Sequence, residues 1–548
     1  MSWVRGRFKE SRVLHVGRGV SSQHSSAGRL AGGSQGGKSL KDMESVASAA
    51  AGELEGGVRS VNFPVWRAIW VHRAVLAVVV AAGLFVEFNL AQFLDAYARW
   101  PQTKTPDLSS HLSTWDAAHY LILSRDGYTA GSHSCAFYPL WPAALALGPF
   151  SLAAGVMNAA QIGLDSSQGW LFTSWGACAG SIGIITAWGG AALFAWLCRH
   201  VPPRSAPVTT LALFLGAAPL PYATMMLSHA LVVGLLSIAI WAIARQGGCG
   251  TEHIGPGMGH RLSAHRWDLL AGFACGWALA SEYTAGIVLA GLLLWLASQG
   301  WRRAVSFCLA AVPPLLLIPL YSWACFGSPF ILPYSLNASF PEMREGLYAI
   351  KWPDPEAAFH LLLGSARGLL FWTPFLAITI VGYRRLASSN LPFFRLTYAV
   401  PAIQIAVISG RTWDWSAGPT LGPRYLAPIL PLLALPCALG VQRFPRFGMA
   451  LAGYSILITT VATLTNASPP LPGHPNPLFD LHIPMLLKGQ LAPNLGTVCG
   501  LPPWLSVVLY YAILCGGIWW LWRRLPPESP AAVGALDRAA EKPVSHAS

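Results

Sequence analysis

The sequence predicts an all-α polytopic membrane protein, on three observations. Hydrophobic residues make up 54% of the 548-residue chain. Charged residues make up only 11%, against about 25% in an ordinary soluble domain. Apolar runs recur along most of the length, each of roughly 20 residues, enough to cross a hydrocarbon core as a helix. The 24 Trp and 42 Pro fit this class. Trp favours the membrane interface, and Pro is tolerated where neighbouring helices re-satisfy the backbone. A net charge of +13 raises nucleic acid as a partner. The basic residues concentrate in a tail and in short interhelical loops, where they set orientation, so no nucleic-acid partner is expected.

From the N-terminus, residues 1–60 read as a disordered basic tail; 1–42 are rich in Ser, Gly and Arg and lack apolar periodicity. No apolar core of a signal peptide is present there, and Met43 is an alternative start. "GGSQGGKS" (32–39) matches the phosphate-binding pattern G-x-x-x-x-G-K-[ST]. That pattern works only between a strand and a helix, and no strand precedes it, so it is read as coincidence. Residues 61–524 form the membrane domain, and 525–548 a second polar, disordered tail in the cytoplasm.

The first span is expected near 68–90, with the basic tail holding its start in the cytoplasm. "CAFYPLWPAALALGPF" (135–150) is short and carries Pro139, Pro142 and Pro149. The following span, near 170–197, ends in the basic "RHVPPR" (199–204). A full crossing by 136–163 would put those arginines outside, so that stretch is read as juxtamembrane or re-entrant. One long extracytoplasmic region from about 91 to 169 results. Residues 269–303 are flanked by Arg266 and by Arg302 and Arg303. Both flanks belong inside, so the stretch must enter and return as two short helices with a solvated tip near Ser281, Glu282 and Tyr283. Further spans are expected near 207–220, 227–244, 304–325, 369–386, 393–410, 425–441, 447–465 and 504–522. The total is about twelve, with both termini cytoplasmic and no internal repeat.

This topology collects polar residues on the extracytoplasmic face. "STWDAAHYLILSRDGY" (113–128) supplies Asp116, His119, Arg125 and Asp126, with Asp107 and His111 just before it. Later loops add Tyr222, His229, Glu282, Tyr283, Arg367, Arg411, Asp414 and Arg424. A hydroxyl attacking an anomeric carbon needs a carboxylate to take its proton. A departing lipid phosphate needs cations, and the guanidinium fork matches its oxygens. The set suits glycosyl transfer from a lipid-phosphate sugar. Blander roles compete: Asp116 as a helix cap after Thr114, Asp126 as a turn residue before Gly127, and the arginines as interfacial snorkels. His119 shares a face with Asp116 if the segment is helical.

"WDAAHYLILSRDGY" followed by "AFYPLWP" resembles the first-loop signature of PIG-V-type mannosyltransferases and their bacterial relatives. "RGLLFWTPFL" and "GPRYLAPILPLLALP" resemble later motifs of bacterial polyprenyl-phosphate-dependent glycosyltransferases. All belong to the GT-C superfamily, and the resemblance covers about 65–525. It implies a GT-C-like fold with juxtamembrane helices in the first extracytoplasmic loop. It implies a polyprenyl-phosphate sugar donor, mannose or another hexose, moved with inversion to a glycan, lipid or protein acceptor. It makes Asp116 the catalytic base; the polar residues that the topology collects add His119, Arg125, Asp126, His229, Glu282, Arg367 and Arg424 as substrate-binding candidates. Relatives often carry Glu where "MMLSHAL" has His229, which departs from the pattern. No Cys/His or acidic spacing suggests a metal, and no cofactor is expected.

A transporter or lipid flippase is the competing class. Such proteins tend to place sites at the midplane within repeats, whereas here the charges gather at one face. An inactive relative serving as an assembly subunit is a third class, against which intact Asp116 argues. The 10 Cys are scattered; Cys135 and Cys499 are the two expected outside, read as unrelated thiols. Asn337 and Asn466 head Asn-Ala-Ser sequons, which matter only in a eukaryotic secretory compartment. Spans rich in Ala, Leu and Gly favour a bacterial cytoplasmic membrane, with the ER membrane as the alternative.

Overall fold

A computed structural model describes residues 141–163, 166–224, 227–246, 258–326, 328–330, 349–411, 415–418, 420–467, 474–492, 496 and 500–524. The first span, the opening loop with Asp107, His111, Asp116, His119, Arg125 and Asp126, and Cys135, Cys499 and Asn337 lie outside the described residues, as do both tails. Among the described residues, secondary structure is helical apart from one isolated antiparallel bridge, Ile350 with Arg411.

The helices begin with α1 (Trp141–Ala159), which runs unbroken through Pro149. Next come α2 (Ser167–Cys178), a π turn at Ala179–Gly183, and α3 (Ile184–Leu197). A Cβ at Gly180 would strike the Pro149 ring, so the absence of a side chain there lets α1 lean on the π turn. α4 (Ser205–Leu215), α5 (Pro219–Thr224) and α6 (Ser228–Gln246) follow. α3 and α6 cross with Gly189 on Gly234; a Cβ on either would fall inside the other's backbone. The Cys178 thiol donates to the Ala223 carbonyl at 2.9 Å, eleven positions earlier in both segments, so the two helices run parallel. Close approach through small residues replaces the hydrophobic drive that lipid cannot supply.

α7 (Met258–Ser281), α8 (Ala285–Gln299) and α9 (Trp301–Phe326) form an up-down-up unit. Gly272 of α7 abuts the Phe307 carbonyl, and Gly276 abuts Ala311, so α7 and α9 are parallel neighbours. The chain enters and returns as charge placement requires, with the turn at Glu282–Thr284. By the α7/α9 register, this turn stops about nine residues below the end of α9, or ~14 Å at 1.5 Å per residue. It is therefore no solvated tip: Glu282 is 1% exposed. The expectation of a wet carboxylate is corrected, because the neighbouring helices rise past the turn and enclose it.

After α10 (Pro355–Leu363), the expected span at 369–386 is three pieces. These are α11 (Leu369–Trp372), a 3-10 turn at Pro374–Ile378, and α12 (Thr379–Ser389). Pro374 lacks an N–H and forces Thr373 out of the helical region (φ −134°, ψ 68°), which ends the first piece. α13 (Leu391–Ser409), a 3-10 turn at Arg424–Ile429, α14 (Leu430–Arg443) and α15 (Pro445–Asn466) complete the core. A π turn at Leu478–His482, α16 (Ile483–Leu487) and α17 (Pro503–Arg524) close it. Asn466 is buried at the end of α15, so its sequon is not presented for modification.

Seven stretches among the described residues are long and apolar enough to cross a membrane: Gly176–Leu197, Ser228–Arg245, Trp301–Trp323, Leu391–Ser409, Arg424–Arg443, Pro445–Asn466 and Pro503–Trp520. Ser205–Leu215, Ala285–Gln299 and Leu478–Leu487 are shorter apolar helices. Within Arg424–Arg443, 94% of the apolar window is buried in protein, against 22% for Trp301–Trp323 and Pro503–Trp520. α14 is thus the central helix, and α9 and α17 present their apolar sides outward, as a lipid-facing rim requires.

Candidate active site

One end of the bundle gathers the start of α6, the α7/α8 turn, the end of α13, the short helix α5 and the 3-10 turn before α14. His229 enters from the first turn of α6. Its Nε2 lies 3.2 Å from Glu282 Oε2, and both side chains are fully buried. The contact is close but lacks the alignment of a hydrogen bond. The other oxygen, Glu282 Oε1, accepts from the Thr284 amide at 3.3 Å and the Thr284 hydroxyl at 3.1 Å. Two donors from one residue fix the direction of that oxygen.

The turn is tied to the rest of the site by Gln404. This residue interrupts the apolar run of α13 and is buried. Its Nε2 donates to the Thr284 carbonyl at 3.2 Å and to the Tyr425 carbonyl at 2.9 Å. The Tyr425 ring lies 5.9 Å from the His229 ring. Arg411 stands over Tyr425 at 4.5 Å from the ring centroid, and Arg424 at 5.1 Å. One aromatic ring thus gathers two guanidinium groups, an attraction worth roughly 0.5–2 kcal/mol each, depending on desolvation.

Tyr222 completes the cluster from α5, with its ring 5.9 Å from that of His229. Its hydroxyl donates to the Leu421 carbonyl at 2.5 Å. Burial pushes this phenol up to about 12, although Arg424 and Arg367 pull the other way. Arg367, at the start of α11, is almost completely enclosed and donates to the carbonyls of Thr420 and, at 2.6 Å, Gly418. Burial pulls its guanidinium down to about 10; Tyr222 supports the charge, and Arg424 opposes it. Its Nε has no partner among the described residues. Arg367 and Tyr222 therefore grip three carbonyls of the 418–421 loop, just before the left-handed Gly422 (φ +69°).

Of the sequence-derived site residues, His229, Glu282, Arg367 and Arg424 converge here. Asp116, His119, Arg125 and Asp126 lie outside the described residues. Thr284, Gln404 and Tyr425 were not singled out as site residues. Gln404 carries a legible signal, a lone amide within the apolar "AVPAIQIAVIS". Among the described residues no group of three His, Cys, Asp or Glu side chains could hold a metal ion.

No family model matches the chain, and no curated protein matches it. Among solved structures, the chain is similar to ArnT from Cupriavidus metallidurans. Against the apo crystal structure the TM-score is 0.44 at 15% identity, covering 86% of this chain and 74% of that one. Against the crystal structure bound to undecaprenyl phosphate the TM-score is 0.43 at 16% identity, covering 82% and 75%.

Proposed function

We propose that this protein is a GT-C-type membrane glycosyltransferase that moves a hexose, mannose foremost, from a polyprenyl-phosphate sugar to an extracytoplasmic acceptor. One observation carries the reading: Arg367, Arg411 and Arg424 gather around Tyr222 and Tyr425, the rings that flank a buried histidine and its carboxylate neighbour at one end of a membrane bundle. Charges inside such a bundle are costly and mark functional sites. Guanidinium groups gathered there suit an anionic lipid phosphate.

In this mechanism the acceptor hydroxyl oxygen attacks the anomeric carbon from the face opposite the phosphate. Asp116 takes the hydroxyl proton as the new C–O bond forms. The bond from the anomeric carbon to the phosphate oxygen breaks, and its electron pair leaves with the polyprenyl phosphate. Attack from the opposite face inverts the anomeric centre. Arg411 and Arg424, held on Tyr425, stabilise the departing phosphate, and Arg367 Nε adds a further donor. His119, Arg125 and Asp126 contact substrate from the first loop, while Glu282 and His229 receive sugar hydroxyls. The reading places the enzyme in a bacterial cytoplasmic membrane.

The test is sugar transfer from labelled polyprenyl-phosphate mannose in membranes holding matched amounts of wild type or Asp116→Asn. Transfer by the wild type and its loss in the variant are expected. Equal transfer by both would remove Asp116 from the mechanism. Lipid flux into proteoliposomes without any transfer would favour a transporter instead.

A further inference from the structure

At the end of the bundle opposite the candidate active site, α3, α6 and α7 bring a second cationic cluster together. Arg245, closing α6, lies 4.8 Å from the centroid of Trp241 and 4.9 Å from that of Trp267. Arg266 stands over the same Trp267 at 5.0 Å. Two guanidinium groups on one indole can be no more than about 10 Å apart. The Trp241 and Trp267 rings themselves meet edge to face at 5.2 Å, which fixes the platform. Arg199, just past α3, lies ten residues beyond Gly189, and Arg245 eleven beyond Gly234, so the parallel α3 and α6 bring the two to the same level.

The acid nearby is already committed. Buried Asp268 receives Arg303 Nε and Nη2 on its two oxygens at 2.9–3.3 Å. Arg303 also donates to the Ile243 carbonyl at 3.3 Å, which ties the α8/α9 turn to α6. Among the described residues no carboxylate pairs with Arg199, Arg245 or Arg266. All three are exposed. Two like charges are therefore held together on the Trp267 indole, with Arg199 at the end of the neighbouring helix. This goes beyond ordinary snorkelling, in which each charged head simply reaches water, because Arg245 and Arg266 are stacked on one shared ring.

We infer that Arg245 and Arg266, on the Trp241/Trp267 platform, together with Arg199 at the adjoining helix end, bind the phosphate of an anionic phospholipid in the leaflet opposite the candidate active site. The occupant follows from charge and depth. Cations between helix ends at a membrane boundary meet lipid head groups, and basic pockets between spans take anionic ones. This inference rests on the membrane reading alone and is independent of glycosyl transfer.

The test is native mass spectrometry of the full chain released from nanodiscs holding equal phosphatidylglycerol and phosphatidylcholine. The wild type is expected to retain phosphatidylglycerol preferentially. Each Arg→Gln change is expected to weaken that preference about five-fold, and the triple R199Q/R245Q/R266Q to abolish it. Trp267→Leu, which leaves net charge unchanged, is expected to weaken it as well. Should the triple variant not fold, exposed Arg266→Gln alone gives the reading. Equal retention of both lipids by the wild type would overturn the proposal, as would an undiminished preference in the arginine variants. Displacement of the lipid by millimolar inorganic phosphate would also overturn it, by showing a small-anion site instead.

Discussion

Glu282 is the side chain whose environment says most. A buried carboxylate beside a buried histidine is costly unless both are held for a purpose. Thr284 satisfies one oxygen, and His229 faces the other. Glu282→Gln keeps the shape and one acceptor while removing the charge. Transfer activity is expected to fall at least ten-fold, about 1.4 kcal/mol of transition-state stabilisation, with little change in melting temperature. Unchanged activity would reduce the pair to a structural contact. In a double-mutant cycle, His229→Ala and Glu282→Gln are expected to couple by about 1–3 kcal/mol, as residues in one polar network do. Tyr222→Phe tests a different role. It removes the donor to the buried Leu421 carbonyl and is expected to cost about 1–3 kcal/mol of stability, measured by thermal unfolding in detergent. An unchanged melting temperature would mean that water or a neighbour replaces the hydroxyl.

Among the elements, the parallel pair α3 and α6 depends on the absence of side chains at one crossing. Gly234→Leu would push its side chain into the backbone of Ile185 and Thr186. Overpacking of this kind typically costs about 1–3 kcal/mol, and here no flexible side chain can move aside. The helices are expected to separate and His229, on the first turn of α6, to shift away from Glu282. Lower thermal stability together with lost activity would agree; wild-type stability would show that the crossing yields to a side chain. The α7/α8 turn shows what charge placement can and cannot say. Arg266 and Arg302/Arg303 dictate entry and return because all must stay at one membrane face. They carry no information on how deep the turn stops. That depth is set by the glycine contacts of α7 with α9, which let α9 run on past it.

At the scale of the whole molecule, the basic platform and the candidate active site occupy opposite ends of the helices. This makes orientation testable with an impermeant maleimide in sealed vesicles, after exposed Cys308 and Cys515, together with Cys135, Cys249 and Cys499, are replaced by Ala. Ser298→Cys, beside the basic end, and Glu356→Cys, beside the bridge from Ile350 to Arg411, are expected to label from opposite sides. Labelling of both from one side would refute the topology.

The sequence by itself determined the class of fold, the enter-and-return path around Glu282, and the face on which His229, Glu282, Arg367 and Arg424 gather. Hydrophobic run length and the placement of Arg are local, one-dimensional signals, and the membrane turns them directly into topology. Tertiary structure alone decided that Glu282 is enclosed, that His229 is its neighbour, and that the two terminal nitrogens of Arg367 hold a loop fifty residues away. It also decided that Gln404, an unremarked amide in an apolar run, ties Thr284 to Tyr425. Burial and partnership depend on which helices pack together, and the sequence separations that packing bridges leave no periodic trace along the chain.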